Sequence, residues 1–270
     1  MNRGLLDKSF REIWPATLGF GLLLFAVEVV ISFVLPQYEG DILSTILQMG
    51  FVRTLMGALL GTPISADMGA EVLQAIPWVH PLVLLIFFAH EITISSRLPA
   101  GEIDRGTIDL LLGLPVSRRQ VFDVYSSVWA ASGILLLAAA HAGNCAGGAL
   151  AGASMPEASR QAITIANAYC LYVSIGCLGF LVSSASNRRG RAIGLVLAIV
   201  VISFLINFLA DFWKPAHHIS FLSLLSYYRP FFTLQKGATP LGDMTVLLVS
   251  AIVFWAAGRV VFQHRDIRTL

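Results

Sequence analysis

The apolar positions of this chain come in long unbroken runs and do not alternate with polar ones. "GLLLFAVEVVISFVL" (Gly21–Leu35) and "GLVLAIVVISFLINFLA" (Gly194–Ala210) have neither the period of two expected of a strand nor the polar face of a surface helix. Apolar runs of about 20 residues mark helices that cross a bilayer, whereas a membrane barrel shows short alternating segments. Six such runs are predicted as spans: Trp14–Leu35, Ile76–Ile94, Val121–Leu150, Ile163–Ala185, Ala192–Phe212 and Met244–Phe262.

Between the spans the pattern changes. "GLLDKSFREIW" (Gly4–Trp14) sets Leu6, Phe10 and Ile13 at helical spacing among Asp7, Lys8, Arg11 and Glu12. This predicts an interfacial helix that turns into the first span at Trp14-Pro15. Val52, Leu55, Met56, Leu59 and Leu60 predict a second amphipathic helix, after the first span. The segment "AGEIDRGTIDLLLGLPVSRRQVF" (Ala100–Phe122) is half apolar and half charged. Here Thr107 is expected to cap a short helix, Ile108–Leu112, which Gly113 ends and Pro115 prevents from continuing. Ser117 followed by Gln120 forms a capping box that starts the third span.

Composition makes the membrane reading firm. Hydrophobic residues are 56% of the chain, charged residues 13%, and the mean hydropathy is +0.76. Soluble domains carry about 25% charge, so this chain has too little to cover a wet surface. The expected fold class is all-α: a polytopic membrane protein of six transmembrane helices, residues 1–270 forming a single transmembrane domain. The first apolar run is too long for a signal peptide and lacks a cleavage pattern, so none is expected. A net charge of +2 gives no reason to expect a nucleic-acid partner.

Charge also orients the chain. Of 18 lysines and arginines, 13 lie at the termini and in the loops before the third and fifth spans, and 5 in the alternate segments. The positive-inside rule then puts both termini and the Ala100–Phe122 segment in the cytoplasm.

Catalytic motifs are missing. No G-x-x-x-x-G-K-[ST] phosphate loop occurs. His90-Glu91 begins an H-E-x-x-H zinc pattern that fails at Ile94. Cys145, Cys170 and Cys177 lack metal spacing, and no disulfide pairing can be inferred from them. The exposed pair His217-His218 reads as solvated, not as a metal site. Glu28 lies deep in a span, where a charge is costly. It must face the bundle, a cavity or a partner, and an internal hydrogen bond is expected over a substrate contact. Glu91, near Arg97, is expected to pair or gate. Gly143 with Gly147, and Gly148 with Gly152, stand four apart and predict close helix packing. His141 and Asn144 are expected to hydrogen-bond between helices.

The charged segment resembles the signature of ABC-2-type transporter permeases, the membrane subunits of one class of ABC exporter that includes copper-processing and multidrug permeases. The matching positions are Glu102, Gly106, Thr107, Asp109, Leu110–Leu112 and Pro115–Arg118. "SLLSYYRPFFTLQKG" (Ser223–Gly237) and "FQHRDI" (Phe262–Ile267) resemble two further stretches of that family, with His264 in place of a usual arginine. The resemblance implies that Ala100–Phe122 holds a cytoplasmic coupling helix docking onto a separate ATP-binding subunit. Leu110 and Leu111 would then fill an apolar groove on it, while Glu102, Asp104 and Arg105 steer docking from a wet rim. It further implies an exporter of the cell (inner) membrane in which two copies, or one copy and a related permease, pair with two ATPases, the first and fifth spans lining the interface. ATP-Mg would sit on the partner, leaving this chain with no cofactor and no enzymatic activity. The rival expectation is an ATP-independent membrane protein, either a secondary transporter or a scaffold.

Overall fold

The computed structural model describes residues 3–38, 45, 48–50, 57, 70–210 and 213–267. The helix expected around Val52–Leu60 lies outside the described residues. Among those described there is no strand, and six helical segments are long and apolar enough to cross a membrane: Arg3–Gln37, Leu73–Ser95, Arg118–Ala151, Ala158–Ala185, Arg189–Leu209 and Leu241–His264. The chain is an all-α polytopic membrane protein.

The first helix, α1 (Arg3–Val34), differs from expectation. It runs without a break through Trp14-Pro15, so the interfacial helix and the first span are one rod. Pro15 lacks an N–H and crowds the preceding turn. Arg97 donates a guanidinium N–H to the Glu12 carbonyl of the same turn. The buried stripe is Leu5, Ser9, Ile13, Thr17, Gly21, Leu24, Glu28 and Ser32, at steps of three and four. Phe10, expected on that stripe, is half exposed.

The second span is also not one helix. It divides into α2 (Ala70–Val79) and α3 (Pro81–Ser95) at His80, whose Nδ1 accepts the Leu82 N–H at 3.3 Å. Pro81 supplies no donor and suits the first turn of α3. Then come α4 (Glu102–Asp104), α5 (Ile108–Leu112), α6 (Arg118–Ala151), α7 (Ala158–Ala185), α8 (Arg189–Leu209), α9 (Lys214–Ile219), α10 (Pro230–Lys236) and α11 (Leu241–His264).

The core lies between α3, α6 and α7, with α1 laid along α6 and α11 along α7. Glycine sets the approaches. A Cβ on Gly143 would sit 2.4 Å from the Phe25 carbonyl, and one on Gly147 2.4 Å from that of Val29, so α1 and α6 touch backbone to backbone. Gly148 instead faces the Met155 sulfur, and Gly152 ends α6 at a left-handed φ of 66°, so the second expected pair packs no helix. Gly176 on α7 makes room for the Trp129 ring, which stacks on Tyr172 at 4.9 Å. Asn144 bridges α6 to α1 by donating to Ser32 Oγ at 2.9 Å, whereas His141 meets only Cys145 on its own helix. The three cysteines are free, and His217 and His218 are exposed.

Candidate functional site

The segment between α3 and α6 lies at the end of the bundle that carries the termini. It leaves α3 through an irregular turn, Arg97–Gly101, forms α4, reverses at Gly106 and forms α5. Gly106 has φ of 69°, the left-handed conformation glycine adopts without strain. Ser117 and Gln120 form the expected capping box, with Gln120 N–H on Ser117 Oγ at 3.2 Å and Ser117 N–H on Gln120 Oε1 at 3.0 Å.

Thr107 precedes α5 but does not cap it. Its hydroxyl donates to Glu102 Oε2 and its N–H to the Glu102 carbonyl at 3.0 Å. Gly113 ends α5 with φ of −73°, without the left-handed conformation a glycine stop usually takes. Glu102 is not a rim charge: it is 5% exposed. Arg105 donates to its Oε1 at 2.9 Å and Lys8 of α1 stands 3.7 Å away. Lys8 also pairs with Glu12 at 2.7 Å. Glu102 therefore ties the turn around Gly106 to the first helix.

Arg189, at the start of α8, braces the other side. Its backbone N–H donates to Asp104 Oδ2 at 3.2 Å, its Nε to Ser96 Oγ at 3.4 Å, and its terminal N–H to the Thr93 carbonyl at 3.1 Å. Asp104 thus supplies the acceptor that a helix N-terminus favours. The Ala100 N–H reaches Ser183 Oγ of α7 at 3.1 Å. Beyond α5, Arg118 donates to the Arg265 carbonyl at 2.5 Å, and Arg265 to the carbonyls of Ser184 and Ser186 at 2.7 and 2.9 Å. Arg259 forms a two-point pair with Asp123 at 2.6 and 2.8 Å. The segment is thus fixed to α1, α7 and α8, and α6 beyond it to α7 and α11.

The two leucines expected to act alike do not. Leu110 is 76% exposed, whereas Leu111 is 4% exposed and packs in the core with Ile103 and Ile108. With α5 one turn long, only one of two adjacent leucines can face outward. The outward face is Asp104, Arg105, Gly106, Asp109, Leu110, Leu114 and Pro115. An open groove beside it runs back to α1, lined by Lys8, Glu12, Arg105, Thr107, Leu110 and Leu114.

A sequence profile described as ABC-2 family transporter protein covers residues 14–267. The chain belongs to the ABC-2 transporter family. No curated protein and no solved structure matches it significantly. As an ABC-2 family member it is the membrane-embedded permease subunit of an ABC transporter, and the family implies an ATP-binding partner subunit.

Two acids lie inside the spans of this ABC-2 permease. Glu28 is fully buried, and neither of its oxygens has a well-formed hydrogen bond, although Asn144 lies beside it. Asn144 of α6 is the internal partner within reach of its carboxyl. Glu91 is fully buried with both oxygens unpartnered, and Arg97, its expected partner, is engaged by the Glu12 carbonyl. Its neighbour His90 bridges Thr17 Oγ1 at 3.1 Å and the Tyr172 hydroxyl at 3.3 Å. The bracing residues Lys8, Glu12, Ser96, Ser183 and Arg189 were missed altogether. Lys8, Glu12 and Arg189 showed only as charge near a span end, and Ser96 and Ser183 carried no signal at all.

Proposed function

We propose that this permease couples ATP hydrolysis by a separate ATP-binding subunit to the efflux of a substrate, acting as one of two paired membrane subunits in the cell (inner) membrane with both termini cytoplasmic. The observation that carries this reading is the split within Thr107–Leu112. One face, Ile108 and Leu111, is locked into the bundle; the other presents Leu110 and Leu114 between Asp104, Arg105 and Asp109. An apolar centre with a charged rim is the composition of a docking patch. A patch braced to several helices transmits a push, because packed helices move as rigid bodies. Docking of the ATPase here would displace α1 through Glu102, α8 through Asp104 and α7 through Ala100. The arginine distribution supports placing this end in the cytoplasm, where ATP is.

The test is reconstitution with the ATP-binding subunit in proteoliposomes. ATP-dependent substrate movement that disappears when the partner's hydrolysis is disabled is expected. Movement by this chain alone, without the partner or ATP, would favour a secondary transporter.

A further inference from the structure

Glu28 sits where α1 crosses α6, and the space beside it is not closed. A cavity of about 20 Å³ opens against its carboxyl. Three aromatic rings, Trp78, Phe87 and Tyr228, line it together with aliphatic walls that include Leu84 and Ala168. Tyr228 is held by donating its hydroxyl to the Trp78 carbonyl at 2.9 Å. Glu28 has no ion pair among the described residues, and both its oxygens lack a well-formed donor. Trp78 and its neighbours also wall a second, more open pocket toward the end of the bundle opposite the termini. That pocket is mostly apolar, with Leu35, Leu73, Pro77 and Met155 on its walls and Asn144 and Gln161 among its polar points.

A carboxylate buried beside a single amide, Asn144, is short of donors, and the bilayer offers it none. The group that satisfies it best brings several N–H donors and a positive charge. Aromatic faces around such a group attract the same charge through their quadrupoles. The space beside Glu28 admits a head about the size of one water and no more. Trp78 is common to both spaces, so displacement of that one side chain joins the apolar pocket to the carboxyl.

We propose that Glu28, with Trp78, Phe87 and Tyr228, forms a binding site for a primary alkylammonium ion: a small ammonium head on the carboxylate and a slender apolar tail in the adjoining pocket. As the substrate site of an exporter this rests on the function proposed above; as a binding site it does not. The apolar walls select against a hydrated metal ion, and the small cavity against a quaternary head with long arms.

The test uses the full chain in nanodiscs without nucleotide or partner, so its failure leaves the ATP-coupled reading standing. Equilibrium dialysis compares radiolabelled hexylammonium with the isosteric neutral 1-hexanol, with empty nanodiscs subtracted. One saturable site per chain is expected, with about tenfold preference for the ammonium. Glu28→Gln should abolish that preference, and Trp78→Leu should weaken ammonium binding about threefold to fivefold while leaving hexanol unchanged. Tetrapropylammonium should not compete. Equal binding of ammonium and alcohol, no saturable site, or an unaltered preference in Glu28→Gln overturns the proposal. Should Glu28→Gln fail to reach the membrane, Trp78→Leu decides: selective loss of ammonium binding supports the site, and equal loss of both probes refutes it.

Discussion

Leu110 and Leu111 are adjacent, chemically identical and opposite in consequence. Leu110 is free to bury its side chain in a partner, which is worth about 1.5–3 kcal/mol. Leu110→Asp should leave membrane levels of the chain normal and weaken ATPase binding about tenfold to a hundredfold, measured by titrating the purified subunits. Leu111→Asp puts a charge into a packed core and should instead reduce the amount of folded chain, seen as loss from membrane fractions. The sequence marked both residues as apolar but could not say which faced inward, because a one-turn helix has no period to read. Glu102 is a similar case. Its charge suggested a solvent role, yet it receives Thr107 and Arg105 and faces Lys8. Glu102→Ala should remove the carboxylate that Arg105 and Thr107 share, leaving the Thr107 hydroxyl only the residue-102 carbonyl at 3.3 Å, and cost about 1–3 kcal/mol, visible as a lower unfolding temperature of the purified chain.

At the level of elements, the spans and the capping box were legible because each rests on local pattern: a run of apolar residues, or a serine three residues before a glutamine. The continuity of α1 was not. Proline normally breaks a helix interior, and what supports α1 through Pro15 is its long packing against α6, far away in sequence. The break at His80 did carry a local signal, Pro81 at the first turn of α3, which a reading by hydropathy alone passes over. Of the glycine pairs, Gly143 and Gly147 face the α1 backbone, and the spacing announced it; Gly176 faces an aromatic ring from another helix, which spacing cannot reveal. Gly143→Leu should therefore drive α1 from α6 and abolish stable expression, checked by size-exclusion chromatography of the purified chain. Ser117→Ala removes the cap of α6 and should cost about 0.5–2 kcal/mol, a modest fall in unfolding temperature without loss of expression.

For the whole molecule, the terminal end is a single braced platform: α1, α7 and α8 tied to the segment between α3 and α6, and α6 clamped to α7 and α11 by Arg118, Arg265 and Arg259. The six-helix class and the family were legible because both are carried by hydropathy and a local motif. The platform was not, because its ties between helices join residues 79 to 147 positions apart. The arginine distribution predicts that cysteines placed at Ser117 and Arg189 react with a membrane-impermeant reagent only from the cytoplasmic side; labelling from outside would invert the topology. Native mass measurement of the assembled complex should find two membrane subunits with two ATPases. The most direct test of the central claim is a cysteine cross-linking scan along residues 103–114 against the ATP-binding subunit. Cysteines at Asp104, Arg105, Asp109, Leu110 and Leu114 should cross-link, and those at Ile103, Ile108 and Leu111 should not. Cross-linking through the buried positions, or through none of them, would contradict the coupling role of this segment.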